Sequence, residues 1–300
     1  MKKFLLLNLL LMFFIASSLN AQNVAVGTKM WYVNWDPFFK DLLTDKLNPS
    51  TYYTFFEIDP AIMSGPTFSI LYMDFGLSAA LFYGHFKAEG NNWETRNPAN
   101  DENAYKSETI NIDRYDIDIS LSYRLVSQLK IFVGYKSQLA NIETRQFTVV
   151  TRTNMIYNIE EAESTEMPAD VRGPGFGAGY SFNTGIFTFG ANISYVILSG
   201  TYGPMKRTDY EEQKPMFYQA GDQGKLELNQ NGYTIEPFVG IIAGNNAILL
   251  LGFRYQYLDS TMRFSDEGGD FGQDAQGNKI REKDFVDIFT GLSFSMSIVF

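Results

Sequence analysis

Apolar and polar residues alternate with a period of two along most of the chain, the signature of strands with two different faces. The pattern marks ten strand-like segments, at 24–35, 60–72, 75–87, 109–125, 129–141, 172–182, 186–198, 231–243, 247–259 and 285–300. In the fourth, Arg114, Asp116, Asp118, Ser120, Ser122 and Arg124 alternate with Tyr115, Ile117, Ile119, Leu121, Tyr123 and Leu125. The fifth repeats this, with Lys130, Gly134, Lys136 and Gln138 opposite Ile131, Val133, Tyr135 and Leu139.

The connections alternate too. Short turns are expected at Tyr72–Asp74, Val126–Gln128, Asn183–Gly185 and Gly244–Asn246, the last two with the Gly/Asn chemistry of tight turns. Long polar loops are expected at 36–59, 88–108, 142–171, 199–230 and 260–284. Strand, short turn, strand, long loop is the order of an antiparallel up-and-down transmembrane β-barrel, with an even strand count and its long loops on one side. Ten strands close the count. The alternating stretch from Thr144 to Tyr157 leaves two readings open, a twelve-stranded barrel or the projecting rim of a long hairpin.

The polar face is small as well as polar. Gly175, Gly177, Gly179 and Ser181 alternate with Phe176, Ala178, Tyr180 and Phe182. Small residues suit the concave interior of a curved sheet, with the bulky face toward lipid. A water-facing sandwich strand has no use for so much glycine. Pro237 interrupts a good strand, and Pro60, Pro66 and Pro174 lie near strand starts, where bulges can absorb them.

The first residues read as a secretory signal. Lys2 and Lys3 are followed by an apolar run from Phe4 to Ile15 and a small-and-polar exit at Ser17–Ala21, so residues 1–21 are expected to be removed and 22–300 to form the barrel. Beyond residue 21 no apolar run is long enough for a membrane helix. The whole chain carries −10, which becomes −12 without Lys2 and Lys3, and that acidity excludes a nucleic-acid partner. There is no cysteine, so burial or a closed hydrogen-bond network must hold an exported domain together.

The last strand ends the sequence on an aromatic, with Phe294, Met296, Ile298 and Phe300 on one face. This resembles the C-terminal signal by which the assembly machinery of Gram-negative bacteria recognises barrel proteins. The Arg114-x-Asp116-x-Asp118 opening, Tyr123-Arg124 and Gly134-Tyr135-Lys136 resemble a family of Gram-negative outer-membrane barrel proteins without an assigned activity. The resemblance covers about a tenth of the chain closely. It implies the fold and the outer-membrane compartment, with surrounding lipid and lipopolysaccharide as partners, and it carries no activity.

Candidate chemistry is sparse. The face assigned to the interior holds Lys29, Arg114, Arg124, Lys130, Lys136 and Arg254 against Glu57, Asp59, Asp116, Asp118, Glu236 and Asp287. Such a set serves as a selectivity constriction or as paired charges filling a narrow lumen, since charges away from water need partners. His85 is the only histidine. Ten-stranded barrel proteases of the omptin type use an Asp–His pair, and Gly84 and Phe86 beside His85 supply no acid. Asp266, Glu267, Asp270 and Asp274 interleave with glycine in the fifth loop, but their spacing matches no EF-hand, and Glu160, Glu161, Glu163 and Glu166 read as a solvated run. No nucleotide, thiol or zinc motif occurs in a credible context, so neither cofactor nor metal is expected. The leading expectation is a structural or surface-interaction barrel without catalysis. A channel for a small solute through the charged lumen comes second, and a membrane-embedded hydrolase third.

Overall fold

A computed structural model describes residues 23–37, 52–53, 57–97, 102–152, 155–203, 206–207, 226–244, 246–264 and 281–300. The expected leader at 1–21, the acidic glycine-rich stretch of the fifth loop and the side chains of Glu57, Glu160, Glu161 and Glu163 lie outside the described residues.

Ten long strands form the wall: β1 (Asn23–Asp36), β4 (Ala61–Tyr72), β5 (Phe75–Asn97), β6 (Glu102–Arg124), β7 (Leu129–Arg152), β8 (Met155–Thr184), β9 (Phe187–Tyr202), β11 (Leu226–Ala243), β12 (Ala247–Phe264) and β13 (Glu282–Val299). Three two-residue strands, β2 (Tyr52–Tyr53), β3 (Glu57–Ile58) and β10 (Lys206–Arg207), pair at the rim. Each wall strand pairs antiparallel with its neighbours, and β13 returns to β1 from Ala25↔Val299 to Asp36↔Ile288. The sheet therefore closes on itself, which satisfies every edge that lipid would otherwise leave open. Ten wall strands settle the count against twelve.

The short turns fall where the pattern puts them. Gly185 and Gly244 take φ of 60° and 63°, the left-handed conformation those turns need, and Met73 adopts φ 53° without a glycine. The long loops are shorter than expected, because their flanks continue as strand. Most of 88–108 and 142–171 extends β5, β6, β7 and β8 to between 23 and 30 residues. Thr144 to Tyr157 is the rim of a long hairpin. Its two arms pair from Arg152↔Met155 downward.

Three prolines are absorbed in one way. Each faces outward, keeps its pairing on one side and loses it on the other. Pro66 pairs with Thr28 while the β4–β5 ladder lapses at 65–66. Pro174 pairs with Tyr135 while β8–β9 lapses at 173–174. Pro237 pairs with Ala191 while β11–β12 lapses at 236–237. A residue with one missing donor costs one side of the ladder.

Two aromatic rings girdle the outside. Near the short turns stand Tyr72, Phe75, Tyr123, Phe182 and Phe187; halfway up stand Tyr32, Tyr83, Tyr115, Tyr135, Tyr195 and Tyr233. Phe75 to Tyr83 is nine residues, within the ~9–11 that a tilted strand uses to cross hydrocarbon. Between the rings the outward residues are apolar and exposed, among them Leu77, Ile119, Val133, Ile193 and Leu251. The terminal face of Phe294, Met296, Ile298 and Phe300 belongs to this belt.

Above the upper ring the polarity inverts. Outward positions become His85, Lys87, Asn111, Asp113, Asn141, Arg172, Asn229 and Asp259. Inward positions become Trp35, Phe86, Ile112, Leu198, Leu228, Leu258, Met262 and Phe289, all buried in one apolar cluster. The half of the barrel nearer the short turns is apolar outside and mostly small or polar inside, with Phe132, Phe238 and Leu250 lying over inward glycines. The other half is built like a soluble protein, with polar residues in water and an apolar core.

Candidate functional site

The junction between these halves, at the level of the upper ring, holds the lumen charges. Alternation places Arg114, Asp116 and Asp118 on the inner face of β6 and Lys136 on that of β7, where Asp118 and Lys136 are register partners. Arg114 Nε donates to Asp116 Oδ1 at 2.8 Å and Nη2 to Oδ2 at 3.3 Å. Lys136 Nζ bridges Asp116 at 3.3 Å and Asp118 at 2.9 Å. This fork and bridge occupy both oxygens of a buried carboxylate, the arrangement that makes burying it tolerable.

A second cluster faces it across the lumen. Lys29 of β1 pairs with Glu236 of β11, which also accepts from Ser293 Oγ at 2.9 Å. Arg254 of β12 donates through Nη2 to Gln256 Oε1 at 3.1 Å, and its guanidinium lies 4.5 Å from the centre of the Trp31 ring. A step higher, Asp287 accepts from Gln230 Nε2 at 3.0 Å and Trp35 Nε1 at 3.3 Å, and Gln230 also reaches Ser260 at 2.9 Å. Arg114 is capped by aromatic faces, 4.5 Å from Phe289 and 5.3 Å from Trp35. Trp35 and Phe289 stack at 5.2 Å. These cation–π contacts join the charged layer to the apolar core above. Within that core, burial pushes the Tyr202 phenol up, and the charge of Asp287 adds to the shift.

Eight of the twelve charges expected inside are brought together: Lys29, Arg114, Lys136 and Arg254 with Asp116, Asp118, Glu236 and Asp287. Four of each sign leave the layer neutral. Arg124 and Lys130 also face inward, but at the exposed rim by the short turns. Asp59 is a correction. The chain breaks strand geometry at 59–60, so Ile58 is buried while Asp59 is exposed beside Lys87, whose carbonyl accepts from its N–H at 2.8 Å. Alternation cannot be carried across a break. Glu57 pairs in register with Glu89, and its side chain lies outside the described residues.

Several partners escape a reading based on charge alone. Trp31, Trp35 and Phe289 sit on the same faces as Lys29 and Asp287, and period-two counting finds them once aromatics are allowed to face inward. His85 also has an acid after all: Asp113, its register partner on β6, with Nδ1 to Oδ1 at 2.9 Å. Tyr83 Oη donates to the same carboxylate oxygen at 2.8 Å. The His85 hydrogen bond holds the Asp113 carboxyl below the usual carboxylate range; partial burial opposes this, and the Tyr83 hydrogen bond assists. The pair stands on the outside of the barrel, just above the tyrosine ring and away from the lumen. Both residues lie in strands that the alternation marks, and the extended β5–β6 hairpin fixes the register that pairs them, which a loop over 88–108 leaves open.

No family model and no curated protein matches the chain. Among solved structures it is similar to the outer-membrane protease OmpT from Escherichia coli, at 10% identity and a TM-score of 0.52, over 94% of this chain and 98% of that one. Weaker likenesses are the outer-membrane protein OprG from Pseudomonas aeruginosa (6% identity, TM-score 0.30, 93% and 96% covered) and the Ralstonia pickettii toluene transporter TbuX (6%, 0.33, 95% and 90%). At such identities the likeness concerns architecture alone. The chain has the fold of a Gram-negative outer-membrane barrel.

Proposed function

We propose that this protein is an outer-membrane barrel that neither conducts nor catalyses, and that holds a rigid, water-exposed β-structure and its loops outside the cell. In this orientation the short turns are periplasmic, and the long hairpins stand among and above the lipopolysaccharide headgroups. The terminal face of Phe294, Met296, Ile298 and Phe300 would engage the assembly machinery before it meets lipid.

The observation that carries the reading is the apolar core inside the outer half of the lumen. A hydrated solute crossing there would have to displace Trp35, Phe86, Phe289, Leu228, Leu258 and Met262, side chains that are all at most 4% exposed. Below them, balanced charges form a neutral layer with no single-sign ring to select an ion. Both features fit a filled barrel of small strand number.

Planar-bilayer recording tests the proposal. The expected outcome is no stepwise conductance above the bare bilayer, and none for Asp118→Asn. Conductance whose ion selectivity changes in Asp118→Asn would instead establish a channel through the charged lumen.

A further inference from the structure

Two adjacent inward rows at the junction hold more hydrogen-bond donors than acceptors. Trp31 Nε1, Arg254 Nε, Gln256 Nε2 and Gln138 Nε2 are each buried with no acceptor among the described residues. The oxygens nearby are already engaged. Asp116 serves Arg114 and Lys136, Glu236 serves Lys29 and Ser293, and Gln256 Oε1 serves Arg254. Unmet donors in a buried interior are unfavourable, and here all the surplus is of one kind.

Arg254 differs from the other cations of the layer. Lys29, Arg114 and Lys136 each form a salt bridge, while Arg254 forms none among the described residues. It is 8% exposed, its direct contacts are an aromatic face and a neutral amide, and Glu236 and Asp116 act on it only through space. A buried guanidinium with no anion in contact is a built half of an ion pair.

We propose that Arg254, Trp31 and Gln256 form a binding site for one small oxyanion, either a carboxylate or an inorganic ion. The three donors belong together geometrically. Arg254 is the register partner of Gly291, and a Cβ on Gly291 would lie 3.1 Å from Trp31 Nε1. The indole therefore reaches across β13, over the missing side chain, to the strand that carries Arg254. Gln256 is the next inward residue on that strand. A water molecule would meet one or two of these N–H groups. An oxyanion meets all three and gives Arg254 an anion in direct contact.

Entry is from the short-turn end. There the two large inward rings are held against the wall: a Cβ on Gly177 would lie 2.5 Å from Phe132 Cζ, and one on Gly190 2.5 Å from Phe238 Cζ. Above the site, Phe289 and Leu258 are at most 1% exposed and close the path. A site closed above in this way requires no conduction, so its test is independent of the bilayer experiment.

The three tryptophans give three indole signals in a proton–nitrogen spectrum of the detergent-folded protein. Trp31→Phe identifies the one at issue, and the probes are sodium acetate and sodium nitrate against sodium chloride at equal ionic strength. The expected result is a saturable shift of the Trp31 signal with acetate or nitrate, with a Kd of about 10 mM or tighter, weakened at least ~10-fold in Arg254→Gln. Acetate alone would identify the ligand as a carboxylate, and nitrate alone as an inorganic ion. Gln256→Glu places a carboxylate beside Arg254, so it should abolish the shift and raise the unfolding midpoint, and it decides the matter if Arg254→Gln does not fold. No saturable shift with either anion, an equal shift with chloride, an unchanged Kd in Arg254→Gln, or a lowered midpoint in Gln256→Glu each overturns the proposal.

Discussion

Asp116 is the residue whose loss should cost most, because it holds two buried cations in place. Asp116→Asn leaves the Arg114 guanidinium and the Lys136 ammonium with weakened partners in a site where Arg114, Asp116 and Lys136 are at most 6% exposed. Breaking one side of a buried ion pair costs about 3–5 kcal/mol, more than forming the pair contributes, because the orphaned charge stays desolvated. Urea unfolding followed by heat-modifiable gel mobility should show a loss of that order. Arg114→Met in the same chain should recover part of it, because it removes one of the stranded charges. At the outer surface the effect is smaller and depends on pH. Asp113 is lowered chiefly by the His85 hydrogen bond. A depressed carboxylate adds stability above its unfolded pKa and loses that contribution as pH falls through its folded pKa. The Asp113 contribution is therefore present at neutral pH and disappears in acid, below the ordinary carboxylate range. His85→Ala should move the Asp113 titration, followed by carboxyl carbon NMR, upward toward the ordinary range. No movement would mean that the pair seen here does not form in the lipid interface.

At the scale of the element, alternation exposed the wall, while strand ends stayed hidden. Period-two patterning tells which residues share a face, so Arg114, Asp116, Asp118 and Lys136 were legible as lumen residues, as was the outward face ending at Phe300. It cannot tell where a hairpin leaves the membrane, because a soluble strand and a lipid-facing strand alternate alike and only the identity of the buried face changes. In β5 the outward face passes from Phe75, Leu77 and Tyr83 to His85, Lys87 and Glu89, and the inward face from Gly76 and Ser78 to Phe86 and Ala88. That exchange looks like the end of a strand when it is the inversion of one. Asp59 was misplaced for a related reason, since parity fails at the break at 59–60, which Pro60 marks without telling how many residues it shifts. The rim beyond the wall should be dispensable. β9 pairs with β8 only as far as Ala169↔Tyr202, so the segment from 155 to 163 takes no part in closing the barrel. Replacing 146–163 by Asn-Gly joins the register partners Arg145 and Ser164 through a two-residue turn suited to a hairpin. The shortened protein should still refold and show heat-modifiable mobility. Failure to do so would make the rim part of the folding unit.

At the scale of the molecule, the inversion means that one closed sheet is stabilised in two different ways. In the membrane-spanning half the bulky side chains face lipid, so lipid chains refill whatever space a truncation opens. In the other half they face each other, and a truncation leaves a cavity among fixed neighbours. Similar losses of apolar volume on the two sides of the tyrosine ring should therefore differ in cost. Phe86 is 0% exposed and stacks edge-on against Trp35 at 5.1 Å, whereas Leu77 lies on the same strand in the lipid belt at 45% exposure. Phe86→Ala should lower stability by about 3–5 kcal/mol, the range for a soluble core. Leu77→Ala should lose well under half of that, because a side chain already half in contact with surrounding chains forfeits only its own share of packing. The chain has no cysteine, so single cysteines at both positions and at Lys87 can be placed without background. Lys87 should label from water, Leu77 only with a membrane-soluble reagent, and Phe86 with neither until the protein unfolds. Ready aqueous labelling at position 86 would mean a water-filled outer lumen, and the cavity cost predicted for Phe86→Ala would vanish with it.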